Sequence, residues 1–139
     1  MDKYIKRLTE AVEKGIQNAE IKTTKLLESE NKKLAPKDTG SLKNSIYSSV
    51  DKPKYLGEVR AKSPYADYVI KGTGKYRASG AHKNKGWYYN VSNPTSKYYG
   101  WHYTEGQEPN DFPHEAYNKK KKDISKIIDS EIDKAISKL

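Results

Sequence analysis

An apolar stripe at spacings of three and four runs through the first quarter of the chain and limits most strongly how it can fold. Ile5, Leu8, Val12, Ala19, Leu26 and Leu27 mark it, with Ile16 and Thr23 on the same face. The spacing predicts one long amphipathic helix from about Lys3 to Lys33. At 1.5 Å per residue such a rod is ~45 Å long. Its other faces are charged, and Glu10 and Lys14 form a favourable i,i+4 pair. The stripe suits either packing on a sheet or a coiled-coil seam, and the sheet is the favoured reading. Gly15 reads as a weak point, costing ~1 kcal/mol relative to alanine.

Pro36 ends this helix, because the residue before a proline avoids helical backbone. Asp38 or Thr39 is placed to cap a second, short helix carrying Leu42 and Ile46. Ile46 to Val50 and Tyr55 to Ala61 read as a hairpin around an Asp51-Lys52-Pro53-Lys54 turn. Ser63 as cap and Pro64 at the first position predict another short helix, with Tyr65, Tyr68 and Val69 on one face. Gly72-Thr73-Gly74 stops it.

Lys75 to Gly86 has no apolar period and reads as a mobile basic loop. Trp87 to Val91 and Tyr98 to Tyr103 are aromatic, strand-like runs around Ser92 to Ser96, a second hairpin in which Gly100 marks a bulge. Asp111 caps a last helix, with Pro113 and Glu115 in its first turn. Ala116, Lys120, Ile124, Ile127, Ile128, Ile132, Ala135, Ile136 and Leu139 trace its inner face. The expected class is α+β: an antiparallel sheet flanked by long N- and C-terminal helices, with short inserted helices and a long basic loop, as a single domain over 1–139.

Composition narrows the function. Only 34% of the 139 residues are hydrophobic and mean hydropathy is −1.05, so the core is expected to be thin and to gain from burial against neighbours. There is no cysteine, which removes disulfides, thiolate metal sites and a cysteine nucleophile. No run of about 18 apolar residues spans a membrane. Met1 to Lys14 lacks the apolar region of a secretion signal, so the chain is expected to act in a cytoplasm. The net charge is +9, and its excess is concentrated between residues 71 and 110, in Lys71, Lys75, Arg77, Lys83, Lys85 and Lys97. Such a stretch attracts nucleic acid, another polyanion or an acidic protein, or is simply solvated. Twelve tyrosines against one phenylalanine suit interfaces as well as cores.

No constellation for chemistry is visible. The three histidines, His82, His102 and His114, lie far apart without metal-ligand spacing. Gly72-Thr73-Gly74-Lys75 lacks the serine or threonine of a phosphate-binding loop, and no GxSxG elbow exists. The expectation is no enzyme, no cofactor and no metal. A basic DNA-binding accessory protein is the alternative, since Lys83 and Lys85 neighbour Trp87, Tyr88 and Tyr89.

Three segments, taken together and in order, resemble one family. Ala35-Pro36-Lys37-Asp38-Thr39-Gly40-Ser41-Leu42-Lys43-Asn44-Ser45-Ile46 resembles its first signature, A-P-x-D/x-T-G-x-L-x-x-S-I. Tyr65-Ala66-Asp67-Tyr68-Val69-Ile70-Lys71-Gly72-Thr73-Gly74 is similar to its Y-A-x-x-V-E-x-G-T-G, departing at Ile70-Lys71. Gly106-Gln107-Glu108-Pro109-Asn110-Asp111-Phe112-Pro113-His114-Glu115-Ala116 is similar to its closing G-x-x-P-x-x-F-x-x-x-A. The family is that of phage tail-completion or head–tail joining (neck) proteins, related to minor tail proteins of the Z type and found also in prophages and phage-tail-like bacteriocins.

The resemblance implies a virion or tail-like particle assembled in the bacterial host cytoplasm. It implies a homo-oligomeric, hexameric ring at the head-proximal end of the tail, with tail tube, terminator or neck and collar proteins as partners and DNA in its channel. The ring-contact candidates are then Lys75, Tyr76, Arg77, Lys83, Lys85, Trp87, Tyr89, Tyr99 and Trp101. Pro36, Thr39, Gly40, Gly72, Gly74 and Asp111 become turns and caps. Removing the loop is expected to spare the fold and abolish assembly.

Overall fold

The computed structural model describes residues 2–37, 40–78 and 82–139. The elements are α1 (Lys3–Leu34), α2 (Ser41–Ser45), β1 (Ile46–Asp51), β2 (Leu56–Ala61), α3 (Ala66–Lys71), a 3-10 turn (Gly74–Tyr76), β3 (Trp87–Val91), β4 (Gly100–Thr104) and α4 (Phe112–Ser137). The class is α+β, with long helices at both ends. The strands form two separate antiparallel hairpins, β1–β2 and β3–β4. By its contacts the chain divides into two compact units, Met1–Ser63 with Phe112–Leu139, and Pro64–Asp111.

The first unit is built on α1 and α4. Asp2 caps α1, its carboxylate accepting from the Tyr4 amide at 2.9 Å. At the other end Ala35 turns to extended backbone (φ −61°, ψ 141°), as a residue before proline must. The chief partner of α1 is the antiparallel α4, with the first hairpin second. The two helices meet at Gly15. A Cβ there would stand 3.0 Å from both the Glu131 carbonyl oxygen and the Ile132 Cα, and 3.2 Å from the Ala135 Cβ. Gly15 is therefore a point of close approach, which corrects its reading as a mere weakness. Further along, Lys22 pairs with Glu131, and Glu30 lies 3.9 Å from Lys120.

The same helix supports β1–β2 where Thr24 and Glu28 face it. Gly57 of β2 passes so near that a Cβ would fall 1.9 Å from the Thr24 Oγ1. Ser48 of β1 donates to Glu28 Oε2 at 2.6 Å. The ladder runs from Ile46↔Ala61 to Asp51↔Leu56. Tyr55, expected in the strand, belongs to the turn instead: its φ is 51° and its amide donates to the Lys52 carbonyl at 3.2 Å.

Buried apolar side chains are few and small. Among the described residues they are Ala19, Ala35, Leu42, Ile46, Ala66, Phe112 and Ala116, and Phe112 is the largest that is fully buried. Glu20, Thr24, Glu30, Asn31 and Glu131 are also buried. On α4 the inward arc runs through Phe112, Ala116 and Glu131. Ile128, Ile136 and Leu139, assigned to that arc from spacing, are each more than a third exposed. One straight partner helix covers a narrower arc than the full apolar stripe occupies.

Other boundaries also differ from expectation. The third helix begins at Ala66 with Tyr65 at its N-cap and no side-chain cap, so Ser63 and Pro64 precede it. Gly100 pairs in register with Val91, which replaces the expected bulge with an unbroken ladder. Gly40, at φ 72°, occupies the N-cap of α2; the expected caps Asp38 and Thr39 lie outside the described residues.

Candidate interaction surface

In the second unit two of the glycine-bearing segments singled out from sequence come together. The Thr73 amide donates to the Gln107 carbonyl at 2.9 Å, and the Lys75 amide to the Glu105 carbonyl at 2.8 Å. The Gln107 amide returns a bond to Thr73 Oγ1 at 2.8 Å. The Asn110 amide closes the far side on the Val69 carbonyl at 2.9 Å. Backbone this close leaves no room for side chains. A Cβ on Gly106 (φ 106°) would lie 2.1 Å from the Thr73 oxygen, and one on Gly74 (φ 59°) 2.6 Å from the Glu105 oxygen. Gly72 (φ 78°) meets the same segment, 2.8 Å from the Gln107 oxygen. These glycines hold a backbone clasp, and Asp111 follows it directly, ahead of α4.

The clasp supports the β3–β4 hairpin, whose two faces differ. Trp87, Tyr89 and Val91 share one face with Thr104, His102 and Gly100, their register partners. Trp87 is half-buried, stacked on His82 with ring centroids 4.6 Å apart and close to Gly74. Tyr89 stacks on His102 at 5.4 Å, and the His102 ring donates to the Tyr98 carbonyl. The opposite face carries Tyr88, Asn90, Trp101 and Tyr103. Tyr88 and Tyr103 pair at 5.0 Å, and Tyr88 and Trp101 are each 72% exposed. Tyr98 and Tyr99, between the strands, are exposed as well.

The ring-contact candidates are thus split. Trp101 and Tyr99 stand open to solvent, whereas Trp87 belongs to the supporting face. Tyr88 and Tyr103 are missing from the candidate set, although strict alternation along β3 and β4 places them with Trp101. The basic candidates divide too. Arg77 turns back to Asp67 at 2.6 Å and lies over the Tyr68 ring at 5.3 Å. Lys75 pairs with Glu105 at 3.0 Å and lies over Tyr76 at 5.5 Å, and Lys71 pairs with Asp67 at 3.2 Å. Lys83 and Lys85 are exposed, and Lys97 lies over Tyr98 at 5.0 Å.

These pairs set the local charge states. The Arg77 guanidinium, then Lys71, holds the Asp67 carboxyl below its ordinary value. The Glu105 carboxylate holds the Lys75 ammonium above its own. Three of the six basic residues read from residues 71–110 are thereby paired, Lys71 and Arg77 sharing Asp67 and Lys75 taking Glu105. The loop ends are structural too: the Asn84 amide donates to the Arg77 carbonyl at 2.8 Å. Removing Lys75 to Gly86 would also remove the Lys75 partner of Glu105 and the Arg77 partner of Asp67.

Among the described residues no group of three His, Cys, Asp or Glu could hold a metal ion, and no helix is long and apolar enough to cross a membrane. Comparison with known proteins found no matching family model, no matching curated sequence and no matching solved structure.

Proposed function

We propose that this chain is a structural subunit of a phage or phage-tail-like particle, forming a ring at the head-proximal end of the tail. There it would complete or cap the tube, or join it to the neck. One observation carries the structural part: the aromatic face of Tyr88, Trp101 and Tyr103, which the second unit leaves open. Exposed aromatic faces on a rigid ladder are what protein contacts use, because they bury large area at little entropic cost. The location in a tail rests on the three-segment resemblance. Two of those segments supply the clasp, which gives the resembling residues a part in holding the fold.

The test is electron microscopy of particles made without the protein. Headless tails, or tubes of irregular length, are expected; normal particles would overturn the proposal. A second reading, DNA binding, is favoured by Lys83, Lys85 and Tyr88, all exposed and close in sequence. It is opposed by the pairing of Lys71, Lys75 and Arg77 with acids. Steeply salt-dependent DNA binding by the isolated chain, with normal particles in its absence, would favour it.

A further inference from the structure

A groove in the first unit ends on a carboxylate that has nothing to bind. Ile16 and Leu27 of α1, Tyr55 and Gly57 of the first hairpin and Ile128 of α4 line it, and Glu20 lies among them. Glu20 is 9% exposed, and neither of its carboxylate oxygens has a hydrogen-bond partner among the described residues. The acids around it are served differently. Glu131 has Lys22 and Lys134, Glu30 has Lys120, and Glu28 has Lys25, Lys32 and Ser48.

The local sequence explains the orphan. Positions one turn either side of Glu20 are Ile16, Gln17, Thr23 and Thr24, so no cation sits on its own helix face. The Thr23 hydroxyl donates to the Glu20 carbonyl at 3.2 Å. A buried polar group without a partner is costly, and native structures rarely leave one. A carboxylate only accepts, so the missing group is a donor.

We propose that this groove receives a lysine or arginine side chain from a second copy of the chain. Such a side chain has an apolar stem and a charged tip. The stem would lie along Ile16, Leu27 and Tyr55 while the tip meets Glu20, whose outer torsions turn easily. Charge complementarity names a second copy: the chain carries 27 basic residues against 18 acidic, so its own surface is a concentrated source of the cation the groove lacks. A groove that takes a different surface of an identical copy makes a head-to-tail contact, which closes into a ring or runs on as a filament. The inference deepens the ring reading by naming the face that joins copies, and it rests on that reading only there.

Sedimentation of the full chain tests it without any particle. The wild-type protein is expected to exceed the 15.9 kDa monomer as concentration rises. Glu20→Gln, which keeps the shape, is expected to weaken association at least ~10-fold. Ile128→Lys, at an exposed rim position, puts a cation of the same chain at the groove mouth and is expected to abolish association. Circular dichroism checks that both variants fold. A wild-type protein that stays monomeric to on the order of 1 mM, or associates only with a different basic protein, overturns the proposal. So does Glu20→Gln associating like the wild type. Irregular tails from a strictly monomeric protein would leave the tail role standing and sink this one; self-association through Glu20 with normal tails in the protein's absence would do the reverse.

Discussion

Gly15 and Ile132 approach so closely that a methyl group on the first would stand 3.0 Å from the Cα of the second. Backbone, unlike a flexible side chain, cannot swing aside. Gly15→Leu is therefore expected to force α1 from α4 and to cost about 1–3 kcal/mol, the usual range for overpacking. Gly15→Ala sets a gain of ~1 kcal/mol in helix propensity against the same crowding, and should change stability by less than Gly15→Leu. Urea unfolding of the three proteins measures both. A stabilised Gly15→Leu would show that the helices do not meet there.

The clasp predicts a different kind of failure. Gly106→Ala adds a Cβ at positive φ, 2.1 Å from the Thr73 oxygen, so conformation and space both oppose it. The cost is expected to be roughly 1–3 kcal/mol for the backbone strain alone. It should appear locally: hydrogen exchange at the Thr73 and Lys75 amides should lose protection while α1 and α4 keep theirs. Unchanged protection at Thr73 and Lys75 would remove the clasp from the fold's supports.

Acid should destabilise the protein in a defined window. Glu28 is held below its ordinary 4.5 first by the Ser48 hydroxyl and then by Lys25 and Lys32. Glu131 is held below 4.5 chiefly by Lys22, and Asp67 below 3.8 chiefly by Arg77. Groups with lowered folded values stabilise above their ordinary values and lose that contribution as pH falls through the lowered ones. Urea midpoints should thus be level near neutrality and fall below about pH 4.5. Glu28→Gln should flatten part of that fall. Lys75, raised by Glu105 from 10.5, adds the opposite loss at strongly alkaline pH.

Trp101 separates stability from association. At 72% exposed, its replacement by alanine should change unfolding free energy by within about 0.5 kcal/mol. Yet it should leave tails as defective as removal of the protein does. Normal tails from a Trp101→Ala chain would take the aromatic face out of the proposed interface. Lys83→Ser with Lys85→Ser should likewise spare the fold, and serves as the matching control for charge.

Element order was legible because it depends on local signals. Apolar spacing located α1 and α4, Pro36 ended the first helix, and turn residues between strand-like runs located both hairpins. Features that depend on what lies opposite were harder. Ala11, Gly15 and Ala19 put small residues one turn apart, the mark of a helix contact, but Gly15 alone reads as a defect. Arg77 and Lys75 look like free cations until Asp67 and Glu105 are known to face them. Gly72 to Gly74 and Gly106 to Pro109 are far apart in sequence, and nothing local announces that they bind each other. Which face of β3–β4 is open was readable by alternation, but candidates were drawn from both faces.

The division of the first unit between the two ends of the chain has a consequence for biosynthesis. α1 leaves the ribosome early, but its helical partner α4 follows only after all of Pro64–Asp111 has been translated. At ~5–20 residues per second, nascent α1 waits for seconds with its Ala19 and Gly15 face uncovered. A ribosome that stalls, or a message cut short, therefore yields a chain whose first unit cannot close. Such fragments would expose that face to chaperones and proteases, because the first unit closes only when both of its segments have been made.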